Sequence, residues 1–436
     1  MSEARSKRPL AMDVRARKLP NGLDVAIMPM PHLHTATVMV GVRVGSRHET
    51  RELNGISHFL EHMLFRGTAA HPSAFEFNLA VEELGGTLHA ATCADFTTYE
   101  LTLPPEHIVR GIEILSEIFY APSLRNLEIE KRIVREEILE GVDEDERDID
   151  PDDLAHFAVF GAHPLGFKIA GNEKTLDRFS EADLRAWHAT HYVGRKSVVA
   201  VAGAVDPSEI DRVILSAFAD LPRGENEAPT AFDKAMAGPR VSFTESPGSQ
   251  TDVRIAFPSV GEGHPLRYPM ELLFRVLDDG MSTRLYRTVV EDAGLAYETF
   301  GSFDSYGDTG LALIGASIEH TKTPELVRTV LGLLQELRDR PIAPHELAKA
   351  KKRALFELRA ALDHADAVAE MWVIDRLLGL ESDLERIASR IEAVTLDELT
   401  KAAIATIRPE FLQVVAVGNR NERIERETKR IVQAFR

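Results

Sequence analysis

The apolar and polar positions of the chain fall into two passages that repeat one order of elements. In the first, a Pro20-Asn-Gly turn leads into β-branched runs over residues 19–44, of which Thr35-Ala-Thr-Val-Met-Val-Gly-Val-Arg-Val44 is the clearest. Such runs between turn residues predict two strands. A helix is expected over 55–65, another over 75–84 stopped by Gly85-Gly86, and paired strands over 87–103. Helical periodicity returns over 106–120, 124–140, 154–160 and 181–191, ahead of a buried-strand run at 197–204.

The second passage reads as a strand at 253–257, a helix over 268–290, strands at 297–301 and 311–318, and helices over 325–338, 344–364 and 365–378. The endings agree best. Ser180-Glu-Ala-Asp-Leu-Arg185 before Val198-Val-Ala-Val-Ala-Gly203 corresponds to Thr395-Leu-Asp-Glu-Leu-Thr400 before Val414-Val-Ala-Val-Gly418. A repeat on this scale implies a duplicated unit. We therefore expect an α+β fold of two homologous domains, each a β-sheet packed with helices, forming a clam-like cleft. The expected boundaries are 1–222 and 240–436, with 223–239, rich in Pro, Gly, Ala and charge, as the linker. Each half is large enough for one core, and a cleft between similar halves is the expected place for a ligand.

Composition narrows the function. With 44% hydrophobic residues in 436, the chain can bury a real core. Its 69 acidic against 51 basic residues, a net charge of −18, argue against nucleic acid and anionic membrane as partners. No apolar run reaches the roughly 18 residues that span a bilayer. Residues 1–10 are basic and polar without the apolar core of a secretory signal, so a cytoplasmic protein is expected. The lone Cys93 excludes an internal disulfide and a cysteine-based zinc site, which leaves histidines and carboxylates to hold any metal.

Those residues gather in Asn54-Gly-Ile-Ser-His58-Phe-Leu-Glu61-His62-Met-Leu-Phe-Arg-Gly67. Asn54 is expected to cap the helix and Gly67 to end it. At 100° per residue Ile56, Phe59, Leu60, Met63 and Leu64 share one arc, and His58, Glu61 and His62 the opposite one. Histidines at i and i+4 suit zinc, and a neighbouring carboxylate that is not a ligand, Glu61, suits a general base. This is the inverted H-x-x-E-H arrangement of metallopeptidases. A third ligand is sought on the 124–140 helix, where Leu127, Val134 and Ile138 form an apolar stripe with Glu130 and Glu137 inside its edge and Glu128 and Glu136 pointing away. Carboxylates along an apolar stripe need a partner. Glu137 is the expected third zinc ligand, and Glu130 the group that orients a ligand histidine. Cys93 is expected to pack rather than react, and the acidic run 140–150 to be a solvated connection.

His58-Phe-Leu-Glu-His-Met-Leu-Phe-Arg-Gly-Thr68, Gly85-Gly-Thr-Leu-His-Ala-Ala-Thr92, Glu130 with Glu137, and Phe160-Gly-Ala-His-Pro-Leu-Gly166 followed by Gly171 closely resemble the pitrilysin family of zinc metallopeptidases. Its relatives include insulysin and the mitochondrial processing peptidases. The resemblance implies one zinc held by His58, His62 and Glu137, Glu61 as general base, and peptide substrates. Two positions depart from the family pattern. His89 stands where an Asn is usual, on an edge thought to pair with substrate backbone. Val290 stands where active members carry an Arg seven residues before a Tyr, here Tyr297; Arg284 and Arg287 lie near it without that spacing. The expected protein is thus the zinc-bearing subunit of a heterodimer whose paralogous partner supplies the Arg/Tyr pair. The alternatives are a self-sufficient homodimer using Arg284 or Arg287, and a non-catalytic core or assembly subunit. If the negative charge lines the cleft, basic unfolded peptides are the favoured substrates.

Overall fold

The computed structural model describes residues 10, 12–120, 122–380 and 382–436. Two sheets organise it. The first contains β1 (Arg15–Lys18), β2 (Asp24–Pro29), β3 (Ala36–Val42), β4 (Thr87–Thr92), β5 (Thr97–Leu103) and β6 (Ser197–Gly203), in the order β1-β2-β6-β3-β5-β4. The second contains β7 (Arg240–Glu245), β8 (Thr251–Val260), β9 (Ala296–Ser305), β10 (Thr309–Ile318) and β11 (Gln413–Gly418), in the order β7-β11-β8-β10-β9.

The two orders superimpose once β1 is set aside. β2 and β6 are parallel, as are β7 and β11, and every other corresponding pair is antiparallel. The duplication expected from the repeated endings is therefore present in pairing sense as well as element order. Strands β3 and β6, buried along their whole length, are the apolar runs read as strands, and their β-branched side chains pack on both faces.

The first half adds helices α1 (Ile56–Leu64), α2 (Ala74–Glu82), α3 (Ile108–Tyr120), α4 (Leu127–Glu140), α5 (Pro151–Phe160), α6 (Glu173–Arg178), α7 (Glu181–His191) and α8 (Pro207–Phe218). The second adds α9 (Arg267–Leu277), α10 (Arg284–Tyr286), α11 (Thr323–Asp339), α12 (Pro344–Ala360), α13 (Ala365–Leu377), α14 (Leu384–Ala393), α15 (Leu396–Thr406) and α16 (Glu422–Ala434). The single helix expected over 268–290 is broken. After α9 the chain turns through Gly280, which is left-handed at φ 97°, re-enters α10 and continues as a π-helical turn, Arg287–Asp292. Thr283 Oγ1 donates to the Gly280 carbonyl at 2.6 Å and closes the turn.

Each half lends the other a helix. One face of the first sheet packs in its own half against Phe59, Ile112, Leu184 and Ile214. Its other face, with Ala26, Met28, Met39 and Ala200, is covered by Val368, Trp372 and Val373 of α13. Reciprocally, Leu311, Leu313 and Val415 of the second sheet are covered by Ala155, Val159 and Phe160 of α5. Between the halves Arg47, 2% exposed, meets Asp95 at 3.1 Å, Asp308 at 2.5 Å and the Thr230 carbonyl at 3.0 Å. Among the described residues no helix is long and apolar enough to cross a membrane.

Candidate metal centre

Helix α1 starts from Gly55, whose φ of 94° favours glycine, and there is no room for a side chain: a Cβ on it would stand 2.7 Å from the Ala170 carbonyl oxygen. Asn54 is not the cap. Its amide donates to Glu49 at 3.1 Å and to the Lys168 carbonyl at 2.7 Å. The first-turn N–H groups are satisfied by the buried Glu49 carboxylate, which accepts from Gly55 N at 2.8 Å and Ser57 N at 2.9 Å. An anion at a helix N-terminus is favoured by both the free N–H groups and the helix dipole.

The apolar arc of α1 faces the core as expected, with Ile56, Phe59, Leu60, Met63 and Leu64 fully buried. The opposite arc is covered as well, because α4 and β4 pack against the helix; His58 and Glu61 are buried and His62 half-buried. Glu130 of α4 is buried, whereas the side chain of Glu137, two turns on, is 47% exposed.

These placements bring the five residues together. His58 Nε2 lies 3.3 Å from one Glu137 oxygen, and His62 Nε2 3.7 Å from the other. One donor atom from each of the three lies within 4.8 Å of the others. Donors about 2.1 Å from a tetrahedral ion stand roughly 3.4 Å apart, so the set fits one zinc ion. The electrostatics fit a cation too. Burial works against a charged His62, but the hydrogen bond to Glu130 and the charges of Glu61, Glu130 and Glu137 outweigh it and raise the imidazole's pKa. Glu137 is held below the usual carboxylate range by its hydrogen bond with His58. Glu130 Oε1 sits 3.0 Å from His62 Nδ1, which leaves Nε2 for a metal, and Arg66 Nη1 lies 3.3 Å from the other Glu130 oxygen. Glu61 shares with His62 and Glu130 a pocket of about 230 Å³. Its Oε2 accepts from Thr92 Oγ1 at 2.5 Å.

The chain matches the insulinase model of peptidase family M16 over residues 24–173 and the M16 inactive-domain model over 178–354. It is 30% identical over 390 residues to the uncharacterized zinc protease YmxG of Bacillus subtilis, covering 88% of this chain and 93% of that protein. It is 31% identical to the mitochondrial-processing peptidase subunit beta of Blastocladiella emersonii, over 92% and 88% of the two chains. The chain belongs to peptidase family M16. The fold agrees with that of a protease from Helicobacter pylori, with a TM-score of 0.85 at 20% identity over 93% of this chain and 99% of that one.

The M16 inactive-domain match, 178–354, runs from the end of the first half into α12, and α9 and α12 correspond to α1 and α4 by element order and mutual packing. There a guanidinium occupies the carboxylate cluster: Arg275 lies 2.6 Å from Glu357, 3.2 Å from Asp279 and 3.7 Å from Glu271. Val290 sits in the π-helical turn, and Tyr297 is 93% exposed at the start of β9. Arg284 is committed to Glu346 through two hydrogen bonds of 2.7 and 2.6 Å, whereas Arg287 is largely exposed beside Asp292.

Glu49 and Thr92 escape a reading of the sequence. Glu49 lies outside the local capping pattern of α1, and the one signal for Thr92 is a polar residue at an inward position of β4. His89 is exposed on that strand. Burial pushes the Cys93 thiol up to about 11, which makes it unreactive. The acidic run is partly paired, Asp143 with Arg147 and Asp148 with Lys168.

Proposed function

We propose that the chain is a zinc-dependent endopeptidase subunit acting on unfolded peptides, with 1–222 as the zinc-bearing unit, 223–239 as the connector and 240–436 as the metal-free counterpart. His58 and His62 through Nε2, with a Glu137 oxygen, hold the ion. Zinc bound there supplies the positive charge that polarises a scissile carbonyl and acidifies water. Glu61 takes the proton of the attacking water and returns it to the leaving amine. Glu130 keeps the His62 ring in the tautomer that presents Nε2. The observation that carries this reading is the convergence of three donors of zinc-ligand type within 4.8 Å, one of which, His62, shares a pocket with Glu61, a carboxylate that is not one of them.

The second half motivates a partner. With Val290 in place of an arginine and Arg284 engaged by Glu346, the chain lacks a free cation at the family spacing from Tyr297. We read it as one subunit of a heterodimer whose paralogue supplies the Arg/Tyr pair, in a cytoplasmic setting. The exposed Arg287 favours a homodimer as the second reading. The test is to assay the purified chain on an unstructured peptide, alone and mixed with a paralogous subunit from the same genome. A large gain on mixing is expected. Full activity alone, unchanged by the paralogue, supports the homodimer, and zinc binding without cleavage in either setting supports an assembly role.

A further inference from the structure

We infer that Thr92 is a positioning residue for Glu61: its hydroxyl holds the base carboxylate in one orientation by donating to Oε2, leaving Oε1 to handle the proton. The inference rests on the reading of Glu61 as general base. Strand β4 alternates, with Thr87, His89 and Ala91 exposed and Leu88, Ala90 and Thr92 half-buried. Leu88 and Ala90 pack against the apolar core that includes α1. Thr92 continues their face, and there a valine of the same shape would satisfy the packing. The hydroxyl instead meets Glu61.

Glu61 gains most from that contact. It is 9% exposed, and a buried carboxylate is costly without a donor. The 2.5 Å separation is that of a charge-assisted O–H···O⁻ bond. The donor is itself fixed, because the chain around it is pinned on two sides. Thr92 pairs with Thr97 across the hairpin, and Cys93 N donates to the Phe96 carbonyl at 2.8 Å. The next two carbonyls, of Cys93 and Ala94, accept from Ser46 N at 3.3 Å and Arg47 N at 3.0 Å. A donor held in this way orients the carboxylate before substrate arrives, so nothing is reorganised during the reaction. The hydroxyl keeps its proton throughout.

The test compares Thr92→Val, Thr92→Ser and Glu61→Gln in the full zinc-loaded chain, with the paralogous subunit added if cleavage needs it. Thr92→Val should lower kcat roughly 10- to 100-fold with KM within about twofold and with zinc content and melting temperature unchanged. Thr92→Ser should restore most of the loss. Should the valine variant melt early or lose zinc, Thr92→Ala, which adds no bulk, is read the same way. Normal kcat in Thr92→Val, or equal damage in Val and Ser, overturns the inference while a dead Glu61→Gln leaves the base standing. Turnover retained in Glu61→Gln removes the base and this inference with it. Independently of turnover, a crystal structure of zinc-loaded Thr92→Val should show Glu61 in more than one rotamer; a single unchanged rotamer contradicts the proposal.

Discussion

His62 can offer Nε2 because Nδ1 is already engaged by Glu130, and that carboxylate is buried beside Arg66. Removing its charge while keeping its shape tests the arrangement. Glu130→Gln should weaken zinc binding about 10- to 100-fold in a chelator competition without unfolding the chain; unchanged affinity would contradict the role. A second residue-scale prediction concerns two histidines away from the candidate metal centre, His191, which is buried, and His48, which is half-buried. Burial, with Lys196 and Arg47 nearby, pushes His48 down to about 4, and burial with Lys196 pushes His191 down to about 3. His191 Nδ1 lies 3.0 Å from the Lys196 ammonium and can accept from it only when neutral. Below about pH 6.5 the unfolded chain takes up protons that the folded chain refuses. This part of the stability is therefore whole above pH 6.5 and falls as pH drops toward 4. Urea midpoints at pH 7 and pH 5 should show the loss, and His191→Gln should reduce it. The grouping of the candidate metal-centre residues is legible in the sequence because His58, Glu61 and His62 share one arc of a short helix, and Glu130 and Glu137 one face of another. Glu49 and Thr92 are not, because their partners are set by tertiary packing rather than by a local period.

Helix α1 shows how an element takes its start from elsewhere in the chain. Asn54 has the right chemistry for a cap, yet Gly55 in the left-handed region turns the chain so that Glu49 meets the N–H groups instead. Glu49→Ala leaves Gly55 N and Ser57 N without that acceptor, at a cost of about 1–3 kcal/mol. Guanidinium unfolding of the metal-free chain reads it, and a change below about 0.5 kcal/mol would contradict the capping role. Long amphipathic helices such as α3, α7 and α11 follow the sequence pattern closely. The pattern fails at 268–290, where apolar periodicity runs on through Asp278-Asp279-Gly280 although the backbone turns there. It also leaves α8, α14 and α16 unassigned, although each pairs an apolar stripe with a side-chain cap from Asp206, Asp383 or Asn421.

At the scale of the molecule the halves are joined by exchange. α13 covers the first sheet and α5 the second, and Arg47 ties Asp95 to Asp308 across the boundary. Expressed separately, 1–222 and 240–436 each lose the helix that shields one sheet face. Each should aggregate alone and become soluble when both are made together; two soluble, monomeric halves on size exclusion would contradict the exchange as a stabilising feature. The duplication was legible because strand order and chain endings repeat, whereas the exchange was not, since an apolar helix face does not say which sheet it covers. The same duplication gives one half a set of histidine and carboxylate donors and fills the other's carboxylate cluster with Arg275. The central claim is that the first set holds zinc, and the most direct measurement is the zinc content of the purified chain beside that of His62→Ala. One zinc per chain, lost in the variant, is the predicted result; a zinc-free wild type, or a variant that keeps its zinc, would contradict it.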